Sequence, residues 1–188
     1  MNTLRLLGWT LVALMMLLPQ TVQAADPPES QVSDSKLERL REANKRKARE
    51  QMARDSKEYK RDEFAALEEL YQKGNSNPRT PENQAILKEV VQKYPKSNRA
   101  GCAALYIGQF SRDPKESEEF LELAIKEYSH CYYLNGTSVG GFARLLMGSK
   151  EKQAGHDTKS KELFDEIRKD YATATSHNGK LIVQAIPQ

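Results

Sequence analysis

Cysteine is scarce in this chain: Cys102 and Cys131 are the only two. They form no Cys-x-x-Cys spacing, which removes the usual basis for redox catalysis. The three histidines, His130, His156 and His177, are scattered. A zinc site needs about four ligands, so no metal is expected. Neither charge sign dominates: 29 Lys and Arg stand against 26 Asp and Glu. That balance excludes strong whole-protein attraction to nucleic acid or lipid. The sequence has no Walker loop, no Gly-rich nucleotide motif, no Gly-x-Ser-x-Gly and no His-Glu-x-x-His. No cofactor and no enzymatic activity are therefore expected.

Long apolar runs are also missing, with one exception at the start. Residues 6–18 are apolar apart from Gly8 and Thr10, and Arg5 precedes them. Pro19 follows, then Val22-Gln23-Ala24, a small-x-small cleavage pattern. The run is shorter than the ~20 residues a membrane span needs. Residues 1–25 therefore read as a cleaved secretory signal peptide. The only tryptophan, Trp9, lies within it. No cysteine is near the cleavage site, so a lipoprotein is not expected. The mature chain is expected in the periplasm or outside the cell.

Residues 26–62 read as a flexible leader and a charged helical arm. Residues 36–63 carry 11 basic and 7 acidic residues. Glu42 with Arg46, and Glu50 with Arg54, have the favourable i,i+4 order. The apolar positions Leu37, Leu40, Met52 and Tyr59 make only a thin face, so a solvated helix is expected. A disordered arm and a coiled coil are the other readings. Lys45, Arg46, Lys47 and Arg49 form a basic cluster. It is a candidate contact for an anionic surface, lipid or cell wall, and otherwise a solvated helix face.

The remainder, residues 63–188, repeats. Val90-Val91-Gln92-Lys93-Tyr94 is echoed at Ala124-Ile125-Lys126-Glu127-Tyr128 and again at Ile167-Arg168-Lys169-Asp170-Tyr171. The first interval is 34 residues and the second 43. Three helical hairpins are predicted. The first joins residues 64–71 to a helix opened by Thr80-Pro81-Glu82, a capping hydroxyl, an N1 proline and an early acid. The second joins 98–110 to 114–128, and the third 139–153 to 158–171. Residues 180–186 read as a short final helix over the open end, or as a strand. The fold class is all-α.

These residues resemble tetratricopeptide repeats of the bacterial envelope type. Tyr94, Pro95, Ser97, Ala100, Ala103, Ala104, Ile107 and Gly108 fit its link and first helix, and Gly148, Gly155, Phe164 and Tyr171 fit a later unit. The pattern departs at Ser129 and Ala172, which replace the link proline, and over residues 129–139, which are longer than the family link. The resemblance implies a helical-repeat adaptor for a protein or peptide partner in the envelope. It implies a groove lined by successive first helices, with Arg99, Tyr106, Gln109 and Arg144 as candidates. An envelope structural protein held to an anionic surface by its basic helix is the alternative. An even cysteine count outside the cytoplasm favours a disulfide. The repeat arrangement would make Cys102 and Cys131 neighbours, so a Cys102–Cys131 bond is expected. Tyr132 and Tyr133 read either as contact residues or as buried caps of a hairpin.

Overall fold

Caps and prolines decide where four of the described helices start. In the computed structural model, Thr80 Oγ1 accepts from the Asn83 amide, and Pro81 opens α3 (Pro81–Lys93). Ser97 Oγ accepts from the Ala100 amide at the head of α4 (Asn98–Phe110). Asp113 caps α5 (Pro114–Lys126), with Pro114 in its first turn. Ser138 caps α6 (Val139–Gln153). These side chains satisfy amides that the first turn leaves without intrahelical partners. The other helices are α1 (Asp34–Glu58), α2 (Arg61–Asn75) and α7 (Asp157–Asp170). A 3-10 helix, Ile182–Ala185, ends the fold. The structure describes residues 33–187. The expected signal peptide and most of the expected leader lie outside the described residues.

The protein is all-α among the described residues. Among the described residues, extended pairing is limited to three isolated bridges, Tyr132 with Ser138, Thr137 with Thr175, and Thr175 with Leu181. Each helix from α2 to α7 packs on the next, and α4 also touches both α2 and α6. One core joins Leu67, Leu87, Leu105, Ile107, Leu121 and Val139. A second joins Leu145, Phe164, Ile167, Ala174 and Ile182 under the C-terminal segment. No described helix is long and apolar enough to cross a membrane.

One packing device occurs three times. A Cβ on Gly74 would lie 2.9 Å from Leu87, one on Gly108 2.8 Å from Leu121, and one on Gly148 2.6 Å from the Phe164 ring. Four residues before each large side chain, a polar residue bonds the glycine's carbonyl. Asn83 reaches Gly74 O at 3.2 Å, Ser160 reaches Gly148 O at 2.9 Å, and Ser117 bonds Gly108 O. The missing side chain lets the paired helices close up, and the hydrogen bond fixes their register.

Helix α1 departs from the expected solvated arm. It belongs to the same compact unit as the other helices, and Asn44, Ala48 and Asp55 on it are buried. Twenty-five residues reach ~37 Å at 1.5 Å per residue. Along that length α1 meets the loops that precede other helices. Arg41 Nε donates to Gly179 O at 2.8 Å, and Asn44 Nδ2 to Thr173 O at 2.9 Å. Lys47 lies over the Tyr132 ring, 5.5 Å from its centroid. Asp55 Oδ2 accepts from the Asn98 amide at 2.8 Å. The seam is made of hydrogen bonds, which a hydrophobic stripe does not report. The expected pairs also shift: Lys45 binds Glu42 at 2.7 Å, and Arg46 lies 3.8 Å from Glu50.

The inserted link is ordered by the same means. Asn98 grips it through Nδ2 to Tyr132 O at 2.9 Å and through Oδ1 from the Tyr132 amide at 2.8 Å. Thr175 Oγ1 donates to Gly136 O at 3.0 Å. The expected Cys102–Cys131 disulfide is not formed: both cysteines are buried free thiols. Cys131 packs beside Gly101, and Cys102 Sγ lies 3.6 Å from Tyr132 O.

Candidate functional site

Four parts of the chain converge on a cavity of 260 Å³. Helix α2 supplies Tyr71, Gln72 and Asn75, and α4 supplies Arg99 and Tyr106. The inserted link supplies Tyr133, Leu134 and Asn135, and the C-terminal segment supplies His177. Arg99 and Tyr106 of the expected groove set, and Tyr133 of the inserted link, are thus brought together.

Their roles differ. Arg99 is 3% exposed. Its Nε and Nη2 donate to the two carboxylate oxygens of Glu68, each at 2.7 Å. Its guanidinium stands 4.5 Å from the centre of the Tyr71 ring. Burial opposes the Arg99 charge, but the Glu68 pair more than offsets it and raises the pKa further. Arg99 is therefore a fixed wall. Tyr133 is buried and donates its hydroxyl to Cys102 O at 2.7 Å. Burial pushes its phenol well above the usual range, so it stays a neutral donor. Tyr133 belongs to the core, and Tyr132 is half-buried against Lys47 of α1.

Tyr106 is the half-buried centre of an aromatic row. It stacks on Phe110 at 6.0 Å and on His177 at 6.0 Å, with Tyr133 edge-on at 4.9 Å. Phe142 meets His177 edge-on at 5.3 Å, and Arg79 covers Phe110 at 4.8 Å. Burial lowers the His177 pKa, which keeps the imidazole neutral in the row at ordinary pH. Leu134 borders the cavity and is 51% exposed, the one exposed large hydrophobic side chain among the described residues. The cavity thus combines an aromatic wall, side-chain amides and one exposed leucine.

Two other expected groove residues lie outside the cavity lining. Gln109 is half-buried on α4, and its Oε1 is buried with no hydrogen-bond donor among the described residues. Arg144 is spent on the fold. It binds Glu166 Oε2 at 2.6 Å, Ser129 Oγ at 3.1 Å and the Tyr171 hydroxyl at 3.2 Å. It therefore ties the inserted link to α6 and α7. The basic cluster is partly neutralised: Lys45 pairs with Glu42, Lys47 covers Tyr132, and Arg46 and Arg49 remain exposed.

Two larger cavities are less suited to the role. One of 480 Å³ includes Met147, Glu151, His156 and Lys159 in its lining, but Glu151 is already held by His156 at 2.7 Å and Lys159 at 2.6 Å. The other, of 570 Å³, lies along α1 beside Asp55 and is mostly polar. Among the described residues, no three His, Cys, Asp or Glu side chains are grouped to hold a metal ion.

Sequence reasoning missed Gly74, Leu134 and His177. Gly74 was readable, since it precedes Gly108 by the same 34 residues that separate Tyr94 from Tyr128. His177 carried no local signal, because the C-terminal segment must fold back before it meets Tyr106. Comparison with known protein families, curated proteins and solved structures finds no match to this chain.

Proposed function

We propose that this protein is an exported, tetratricopeptide-like helical-repeat adaptor that binds a protein or peptide in the periplasm or cell envelope. The cavity between α2, α4 and the inserted link is its binding groove, and it carries out no catalysis. The observation that carries this reading is the aromatic row beside exposed Leu134. Such a surface offers apolar anchoring with hydrogen-bonding amides at its edge. The stepwise packing of α2 to α7, with α4 touching α2 and α6, supports the repeat arrangement. The 13-residue apolar run after Arg5 supports export.

The alternative, a basic helix holding an anionic surface, has less support. Lys45, Lys47 and Arg46 already have partners in Glu42, the Tyr132 ring and Glu50, which leaves less of the cluster for an external anion.

A photo-crosslinking side chain at Leu134, in cells exporting the full chain, tests the groove. One saturable protein partner should be captured, and Tyr106→Ala should abolish capture. Equal capture from a crosslinker at Glu162, on the exposed side of α7, would remove the groove from consideration. Salt-sensitive sedimentation with anionic vesicles, lost on replacing Arg46 and Arg49, would favour the alternative.

A further inference from the structure

Asp55 stands where α1 meets the head of α4, and it is 4% exposed. Its carboxylate has one hydrogen-bond donor among the described residues, the Asn98 amide at 2.8 Å. Arg99, Glu68 and Glu58, the charged groups that act on it, are already matched. From α4, Arg99 faces it but is held by both oxygens of Glu68, which itself approaches from α2. From α1, Glu58 lies nearby and pairs with Lys96 of the preceding link at 3.4 Å. Asp55 itself lines the 570 Å³ cleft together with Arg54, Lys57 and His130, none of which bonds its carboxylate. A buried carboxylate with one amide donor and no cation of its own is poorly compensated when ionised.

We propose that protonation of Asp55 sets how tightly α1 is strapped across the loops that precede the other helices, so that the strap tightens in mildly acidic medium and loosens as the medium turns neutral. The rest of the seam would not resist such loosening strongly. It consists of hydrogen bonds from Arg41 and Asn44 to Gly179, Thr173 and Thr175, the Lys47 contact with the Tyr132 ring and the exposed Lys96–Glu58 pair, with Ala48 as its buried apolar residue. Tyr59, in an extended conformation, separates α1 from α2 and packs edge-on against Tyr94 at 5.6 Å. Asparagine at position 55 would keep the acceptor for Asn98 while removing the charge.

The direction follows from the carboxyl's surroundings. Burial moves Asp55 from the usual 3.8 up to about 6, against the lowering effects of the Asn98 amide and Arg99. Docking therefore favours the protonated form. Its contribution is full below the ordinary carboxylate pKa and is lost as pH rises through about 6. Between about pH 5 and about pH 7.5 the docking equilibrium changes by up to about tenfold.

Hydrogen–deuterium exchange of the full chain tests this. Protection of amides 44–58, with intrinsic exchange rates divided out, is compared across that pH interval. Protection should fall by up to about tenfold in the wild type, while interior α4 amides hold constant. Asp55→Asn should remove the pH dependence and protect α1 at neutral pH at least as well as the wild type. A flat wild-type profile, an unchanged slope in Asp55→Asn, or a parallel fall in α4 would overturn the inference. So would a profile flattened by His130→Gln, which would assign the effect to the imidazole. The inference does not depend on the groove or its partner.

Discussion

Cys102 and Cys131 face a packed interior rather than a partner sulfur. Burial raises the Cys102 thiol to about 12 and pushes Cys131 higher still. The thiolate is the reactive form, so both should be inert while the protein is folded. A thiol titration of purified protein should find none reacting under native conditions and two in denaturant. A count of zero in denaturant would mean that the two sulfurs are bonded after all. Arg99 teaches a related point. An arginine in the first turn of a helix looks like a ligand for a partner, yet a glutamate from the preceding pair already fills its fork. Which charged side chains are free is a property of their neighbours in space.

At the scale of the element, the chain spells out its helices with few conflicts. The boundaries read from capping residues and prolines, 98–110 and 139–153, coincide with α4 and α6. Gly140 permits a close approach, since a Cβ there would lie 2.7 Å from Ser129 backbone and the Tyr171 hydroxyl. The glycine device gives a quantitative prediction. Gly148→Ala places a methyl group 2.6 Å from the Phe164 ring. Relieving such a clash costs about 1–3 kcal/mol. Urea denaturation should report a loss of that order, whereas Glu162→Ala, on the exposed face of α7, should stay within about 0.5 kcal/mol of wild type. Helix α1 was legible as a helix but not as a docked one. Its contacts are made by Arg41, Asn44 and Asp55, residue types that a search for an apolar face assigns to solvent.

At the scale of the whole molecule, α1 and the C-terminal segment are joined through the inserted link. Arg41 and Asn44 bond the segment around residues 173–179, and Thr175 bonds Gly136 in the link. Removing residues 1–60 uncovers these carbonyls to water instead of leaving them buried, so the cost should be local. The truncated chain should keep the helical signal of α2 to α7 and lose exchange protection in residues 130–137 and 173–179. Complete unfolding on truncation would show instead that α1 is part of the core.

The sequence by itself determined the all-α class, the helix boundaries from Pro81 onward to within a residue or two, and the 34-residue spacing. Capping residues, prolines and apolar periodicity act within a few residues, and each leaves its mark in the local chain. Only the tertiary structure decided which side chains line the groove, that the two thiols are free, and that α1 lies against the loops. Those outcomes depend on polar contacts between residues more than a hundred positions apart, as between Asn44 and Thr173. Asparagine and aspartate look alike in sequence whether they meet water or a distant backbone group.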